Sequence, residues 1–213
     1  MGKINQGILG GLSGKVGNVI GGSWKGIDYL RIKPSSVANP RTTGQVNQRN
    51  KFTATLEFLQ PNKDFIKVGY KNYAIKKTEF NAAMSEILSN AITGIAPDFE
   101  VDYSNALLSK GSLSAALNPT FDVSTPGNVT FEWDDNSADG NAEATDKAMI
   151  LVYNSARKES VYILDGADRS LTTQMLTIPA SYSGQTIEVF MAFVSEDGSK
   201  VSNSSYLGSG TAA

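Results

Sequence analysis

The chain has 213 residues, 40% of them apolar, and a formal net charge of −2 at neutral pH. It contains no histidine and no cysteine. Cys/His zinc sites, iron–sulfur clusters, disulfides, thiol nucleophiles and imidazole-based triads are therefore excluded. The length is sufficient for a packed core and predicts two structural parts.

The N-terminus predicts no targeting segment. Met1-Gly2-Lys3 leads into a stretch interrupted by glycine and polar residues, where a signal peptide has an unbroken apolar core. No apolar run is long enough to span a bilayer. We expect synthesis in the cytoplasm without a signal peptide, no membrane insertion, and assembly in the cytoplasm or in a virion.

Charge is distributed unevenly along the chain. Residues 1–77 hold 13 Lys and Arg against 3 acids, and residues 78–213 hold 6 against 18, so the two parts are formally +10 and −12. Surfaces of opposite charge select partners and orient encounters, which predicts head-to-tail association of copies. Nucleic acid is the less favoured partner of the basic part, because no helix-turn-helix, zinc-finger or RNP-type motif accompanies it.

Glycine dominates the start of the chain. The first 26 residues carry nine of the 20 glycines, and such a segment loses much backbone entropy on ordering with few side chains to compensate. Residues 1–17 are therefore predicted to be a glycine-rich arm that becomes ordered against another surface. Residues 18–24 and 27–33 are predicted strands around a turn at Lys25-Gly26.

Three helices are predicted next. Thr42 and Gln45 form a capping box that opens the first helix, and Pro61 ends it. Residues 64–70 and 78–92 are the second and third. The first helix has a stripe of helical spacing that is predicted to face a core: Val46, Arg49, Phe52, Thr53, Leu56 and Leu59. Residues 18–95 thus form a basic hairpin-plus-helices unit, with these candidate interface residues: Trp24, Tyr29, Arg31, Arg41 and Arg49.

The remainder is predicted to be β structure. Residues 96–127 are transitional strands and linker, with short strands at 99–103 and 106–109. Residues 128–213 alternate apolar and polar positions in short strands separated by turns, with Trp133 on an early strand. This pattern is typical of an immunoglobulin- or fibronectin-like β-sandwich. Six strands are predicted: 128–134, 147–153, 160–164, 171–178, 185–195 and 200–207.

The loop from Asp135 to Asp146 is the nearest approach to a chemical motif. It carries oxygen ligands at the first, third, fifth and twelfth positions and Gly140 at the sixth, as calcium loops do. Its eighth residue is Ala142 where such loops carry a branched apolar anchor, and its last ligand is Asp instead of Glu. We favour a solvated acidic loop, with calcium dispensable and no metal or other cofactor expected.

Carboxylate catalysis is the remaining enzymatic alternative in a chain without histidine. It needs two carboxyl groups facing each other across a cleft. Asp134, Glu143 and Glu188 are available, but no pair stands out above the general acidity. We therefore expect a protein that is not an enzyme and has no catalytic residues.

Several short motifs occur in a fixed order along nearly the whole chain. Together they resemble an uncharacterised domain-of-unknown-function family of Gram-negative bacteria, which implies no activity, cofactor or catalytic residue. The segment from Asn39 to Arg49 also has a weaker similarity to helix entries in phage structural proteins. The motifs are Gly14-Lys15-Val16-Gly17-Asn18-Val19, Trp24-Lys25-Gly26, Asn39-Pro40-Arg41-Thr42, Asp102-Tyr103-Ser104, Lys110-Gly111-Ser112-Leu113, Trp133-Asp134-Asp135-Asn136 and Asp146-Lys147-Ala148.

These observations predict an α+β, mainly β protein with an arm, a hairpin, helices and a sandwich. The leading hypothesis is a non-enzymatic assembly protein, a phage-like virion or filament component whose partners are its own copies and other virion or appendage proteins. A carbohydrate- or receptor-binding adhesin is the alternative. A nucleic-acid-associated protein is the second alternative.

Overall fold

The computed structural model describes residues 3–4, 12–24, 27–36, 39, 41–75 and 77–213. The chain is mainly β and divides into two compact units, Met1–Thr42 and Thr43–Ala213. Within the described ranges, no helix is both long and apolar enough to cross a membrane.

The first unit is an antiparallel sheet whose strands follow chain order. A two-residue turn at Gly17-Asn18 joins the second and third strands, and Gly17 has φ +57°, a left-handed conformation that glycine adopts without steric cost. Val16 pairs with Val19 beside this turn. The strands are β1 (Lys3–Ile4), β2 (Leu12–Val16), β3 (Val19–Trp24) and β4 (Ile27–Ile32).

The prediction of a separate arm over residues 1–17 is wrong for its described parts. β1 pairs with β2, and β2 pairs with β3, so the arm and the hairpin form one sheet. The reason is local: the Gly17-Asn18 turn lets β2 fold back on β3 and satisfy backbone hydrogen bonds inside the chain. Residues 5–11 of the predicted arm lie outside the described residues.

The three predicted helices are confirmed in the second unit, as α1 (Thr43–Leu59), α2 (Lys63–Gly69) and α3 (Glu79–Asn90). α1 begins directly after Thr42. The hydroxyl oxygen of Thr78 caps α3 by accepting a hydrogen bond from the amide of Asn81 at 3.2 Å.

The predicted core stripe of α1 is wrong for most of its length. Val46, Phe52 and Leu56 are exposed, and the buried face is instead formed by Thr55, Phe58 and Leu59. Only the C-terminal part of the helix is covered. Helical spacing identified a stripe of residues on one side of α1. It could not identify which turns of the helix are covered by other elements.

Nine further strands complete the second unit. β5 and β6 form a hairpin, and the others form a four-stranded sheet in the order β10-β9-β12-β13 and a three-stranded sheet in the order β11-β8-β7, both antiparallel. The strands are β5 (Ile92–Ile95), β6 (Asp98–Val101), β7 (Leu117–Asp122), β8 (Asn128–Asp134), β9 (Lys147–Asn154), β10 (Glu159–Ile163), β11 (Thr173–Thr177), β12 (Thr186–Val194) and β13 (Ser205–Thr211).

The four-stranded sheet has a core on each side. Because side chains alternate along a strand, Val189 and Phe193 of β12 pack in a cluster with Phe131 of the three-stranded sheet. Phe190, on the opposite side of β12, packs in a second cluster with Phe58 of α1. The central strands β9 and β12 are accordingly buried on both sides, which explains their continuous apolar sequence.

This arrangement differs from the predicted division into segments 1–17, 18–95, 96–127 and 128–213. The helices share a core with β9 and β12, so they group with the later strands, and the boundary falls after Thr42. Composition and charge had placed the helices with the hairpin. Charge describes surfaces, whereas apolar burial decides which segments pack together.

Two predicted strands are also wrong. Residues 106–109 are not a strand: Gly69 allows this segment to lie closely against the end of α2, and the amide of Leu108 donates to the hydroxyl of Ser204 at 2.8 Å. The last strand is Ser205–Thr211 instead of 200–207. Gly210 allows it to pass close to the ring of Phe121, a close approach that alternation does not reveal.

Candidate functional site

The predicted interface residues lie in three places. Tyr29 and Arg31 alternate with Leu30 on β4 and share one face of the N-terminal sheet. Trp24 is on β3, where its backbone pairs with Ile27. The other two lie outside the sheet: Arg41, at φ +45°, precedes α1, and Arg49 is on the exposed part of α1 in the second unit.

One face of this sheet is apolar. Residues directly opposite each other on antiparallel strands share a face, and Val16 pairs with Val19, which pairs with Ile32. Leu30 lies two residues along on the same face, opposite Gly21. All four apolar side chains are exposed, Leu30 by 64% and Ile32 by 77%. The sequence search for interface residues missed this face, although the alternation of β4 places apolar residues on both sides.

The opposite face is basic and aromatic. It presents Lys15, Ile20 and Arg31, which lie in one cross-strand row. Tyr29 lies opposite Gly22, and a Cβ atom at Gly22 would stand 3.1 Å from the Tyr29 ring. The ring therefore covers the glycine of the neighbouring strand while Tyr29 remains 46% exposed. This face therefore presents one aromatic ring, Tyr29, and two cations, Lys15 and Arg31.

The loop from Asp135 to Asp146 is exposed over most of its length, as the sequence predicts, but its last acidic residue is not solvated. Asn136 and Asp146 are buried, and both bind the side chain of Arg169, which is itself 0% exposed. Arg169 Nη1 donates to Asn136 Oδ1 at 2.7 Å, and Arg169 Nη2 stands 3.1 Å from Asp146 Oδ2. The acidic end of the loop thus belongs to an internal ion pair.

Arg169 also binds neighbouring backbone and aromatic groups. Its guanidinium donates to the carbonyl oxygens of Ser114 at 2.9 Å and Ala115 at 3.3 Å, and its own carbonyl accepts from Trp133 Nε1 at 2.7 Å. The guanidinium carbon lies 3.8 Å from the centroid of the Phe193 ring, a cation–π contact. Burial lowers the pKa of Arg169, and Asp146 opposes that shift, so the guanidinium stays charged.

Replacing Arg169 with Met should destabilise the second unit strongly. The variant leaves Asp146 buried without its cation, and breaking a buried pair in this way costs about 3–5 kcal/mol. The matched control is Arg157→Met, whose partner Glu159 is 3.0 Å away in an exposed pair and which should cost at most about 1 kcal/mol. Urea unfolding measures both. Equal losses in the two variants would contradict a central role for Arg169.

Calcium should leave the stability of the protein unchanged. The carboxylates at the first and last ligand positions already have protein partners: Asp135 accepts from the amide of Ser137, and Asp146 binds Arg169. Thermal melts with millimolar calcium and with chelator should coincide. A melting temperature that rises by several degrees with calcium, and does not rise in Asp135→Ala, would overturn this prediction.

The three carboxylates considered for catalysis lie at different positions. Asp134 accepts from Asn118 Nδ2 at 2.8 Å and lines a shallow cleft with Glu132. Glu143 lines another cleft, together with Asp146 and Lys200. Glu188 lies on the helix-facing side of β12, 6% exposed, where it accepts from the Tyr206 hydroxyl at 2.6 Å. The sequence could not identify Glu188 as buried, because glutamate is seldom placed on such a strand face.

Glu188 should make stability depend on pH. Burial raises its pKa, so the folded state keeps the proton at pH values where the unfolded chain has released it. The free energy of unfolding therefore falls as pH rises through this window. Glu188→Gln cannot ionise, so the melting temperature of the variant should rise relative to that of the wild type as pH increases above about 4, the ordinary pKa of a glutamate. A constant difference in thermal melts across that range would refute the assignment.

Comparisons with known proteins identify the family. No curated protein matches the chain. The solution structure of the fn3 domain of human collagen alpha-1(XX) chain is similar over 48% of this chain and 87% of that chain, with 11% identity and a TM-score of 0.35, which does not establish the fold. A family model described as a family of unknown function (DUF6266) matches residues 11–208. The predicted membership of an uncharacterised family is thus confirmed, and the chain belongs to the DUF6266 family.

Proposed function

We propose that this protein is a non-enzymatic assembly component of a phage-like virion or filament, and that its copies associate through the N-terminal sheet. The observation that carries the proposal is the exposure of this sheet on both faces. Among its described side chains, Val16, Leu30 and Ile32 are exposed on one face, and Ile27 and Tyr29 on the other.

Such a sheet needs a partner. Small sheets are marginally stable in water unless a hydrophobic face is covered, and contiguous exposed apolar side chains mark interaction surfaces. In the described part of the first unit only Gly21 is buried, so the sheet has no core of its own. A neighbouring copy would supply the missing cover.

The edge of the sheet offers a second mode of contact. β4 is the last strand in the order β1-β2-β3-β4, and no other strand among the described residues pairs with its outer edge. An unpaired edge strand is a template for strand addition. Association through this edge would also place the side chains of the added strand beside those of β4 on each face.

Charge indicates which surface of the neighbouring copy is the partner. Residues 1–42 hold six basic residues and one acid, formally +5, while residues 43–213 are formally −7. In the second unit, the outward side of the three-stranded sheet presents Asp122, Glu132 and Asp134, all exposed. We assign this acidic face as the acceptor for Lys15 and Arg31 of another copy. Contact between unlike surfaces is heterologous and builds rings or filaments.

The two sheets of the second unit form, in this proposal, an immunoglobulin- or fibronectin-like sandwich that serves as the body of each copy. Supporting this, the sheets contribute to a common core in which Trp133 of β8 contacts Phe193 of β12 edge-on, with ring centroids 5.6 Å apart. Buried tryptophan on an early strand is typical of such folds. The helices that pack on the other side of β12 are additional to that fold.

The surface of the strands favours assembly over the adhesin alternative. Sugar rings stack on exposed aromatic side chains, but in residues 128–213, all of which are described, no aromatic side chain is exposed. Exposed aromatic side chains occur instead at Tyr29, Phe52 and Tyr73. A glycan platform on the proposed sandwich would lack its stacking surface.

Charge reversal tests the proposed contact. Wild-type protein should associate at low salt and dissociate at about 1 M salt, where the Debye length is about 3 Å. Arg31→Glu and Glu132→Arg should each weaken association by about tenfold, and the double variant should restore it because the pair is re-formed with reversed sign. Sedimentation velocity over a concentration series measures all four proteins.

Two controls complete this test. Glu143→Arg changes the charge equally at a site away from the acidic sheet face and should leave association unchanged. A wild type that is monomeric at every ionic strength would refute the assembly proposal. Association that appears only when nucleic acid is added would favour the nucleic-acid alternative, to which the basic and aromatic face of Lys15, Tyr29 and Arg31 would then belong.

A further inference from the structure

The second unit contains a cleft of about 460 Å³ between α1, β6 and the turn after β9. It lies on the helix-facing side of the four-stranded sheet and is separate from the acidic sheet face assigned to assembly. The residues that matter to its chemistry are Glu57, Phe58, Glu100, Tyr103, Tyr153 and Lys158.

Three aromatic rings form one wall of the cleft. The Phe58 and Tyr153 rings meet edge to face, with centroids 5.1 Å apart, and Tyr103 lies 5.5 Å from Phe58 and 5.9 Å from Tyr153. Each ring is therefore held in place by the other two. Tyr103 is partly exposed, whereas Phe58 and Tyr153 are buried. The wall is preorganised, with its outer ring accessible from the cleft.

Tyr153 has an unpartnered hydroxyl. The residue is only 3% exposed and lines the cleft, yet its hydroxyl makes no hydrogen bond with any described residue. Among the described residues, Asn62 Oδ1 is the one buried side-chain oxygen or nitrogen atom without a hydrogen-bond partner, so the Tyr153 hydroxyl is not sealed inside the protein and opens into the cleft. The hydroxyls of Tyr70, Tyr162 and Tyr206, by contrast, all donate to protein oxygens. The Tyr153 hydroxyl is therefore available to a polar group that enters the cleft.

Two carboxylates and one cation line the cleft: Glu57, Glu100 and Lys158. Glu188 pairs directly with Tyr153 across β12 and β9 and so lies on the same face; it forms no ion pair with any residue that the structure describes. Glu57 and Glu100 stand at the rim, where Glu57 binds Lys158 at 2.6 Å. Burial, with further contributions from Glu188 and Glu100, raises the pKa of Tyr103 to about 12. Burial and nearby charges including Glu57 and Glu188 also raise the pKa of Tyr153.

We propose that this cleft binds an organic cation, the ammonium or guanidinium group of a lysine- or arginine-like ligand. The cation lies against the Tyr103 ring, donates to the Tyr153 hydroxyl, and is balanced by Glu100 together with Glu57, which it shares with Lys158. Aromatic faces attract such cations most strongly where they are desolvated. A metal ion is a poorer fit, since no group of three or more metal-binding side chains occurs in the described part of the chain.

Calorimetric titration tests this site directly. The probes are N-acetyl-arginine amide and N-acetyl-lysine amide, and the control ligand is N-acetyl-citrulline amide, which has the shape of the arginine compound without its charge. Both cations should bind the full-length protein, and the citrulline compound should bind at least about tenfold more weakly. Equal binding of the arginine and citrulline compounds would overturn the assignment, as would no detectable binding of either cation.

Substitutions locate the binding within the molecule. The double variant Glu57→Gln/Glu100→Gln should weaken cation binding by about tenfold, because it removes two exposed attractions while conserving shape. Both positions are exposed, so folding is preserved, which a thermal melt checks. The matched control Glu132→Gln/Asp134→Asn removes two charges from the acidic sheet face and should leave affinity unchanged. An equal loss in both variants would show a general charge effect and refute the cleft. The outcome is independent of self-association.

Discussion

The guanidinium of Arg169 is a full positive charge placed where water does not reach, and the segments around it are arranged to satisfy it. Asp146 balances its charge, Asn136 and two backbone carbonyls accept its remaining hydrogen bonds, and Phe193 covers its plane. These partners come from separate parts of the chain. Leaving such a charge unpaired would be costly, so all the partners of Arg169 must be held in place at once. The loops at this end of the two sheets depend on this requirement.

The same constraint accounts for part of the loop from Asp135 to Asp146, whose spacing of oxygen atoms resembled a calcium site. Of the four ligand positions, the last one, Asp146, binds Arg169, and Asn136 supplies a second contact from the same loop. Nothing within the loop identifies that partner, because Arg169 follows it by a whole strand hairpin. The sequence predicted a solvated acidic loop, and only the tertiary structure shows that Asp146 is paired with Arg169.

Predictions that rest on local rules agree with the structure. The third helix begins beside Thr78, the Val129–Phe131–Trp133 alternation faces a core, and Tyr29 and Arg31 share a face of β4. Predictions that depend on which other segments pack over a given segment do not agree with the structure. The exposed turns of α1, the shifted final strand and the irregular path through Leu108 depend on neighbours distant in sequence. The candidate cleft also joins α1, β6 and β9, so its aromatic wall has no signature in any single segment.

The two-sided burial of β12 has a consequence for how the protein is made. Phe58 leaves the ribosome early, whereas its partner Phe190 is near the other end of the chain. Until β12 has been synthesised, the apolar side of the helices has no sheet to pack against, so contacts of high sequence separation must close last. Nascent chains are therefore exposed to aggregation for most of translation, and binding by a chaperone during that interval would protect them.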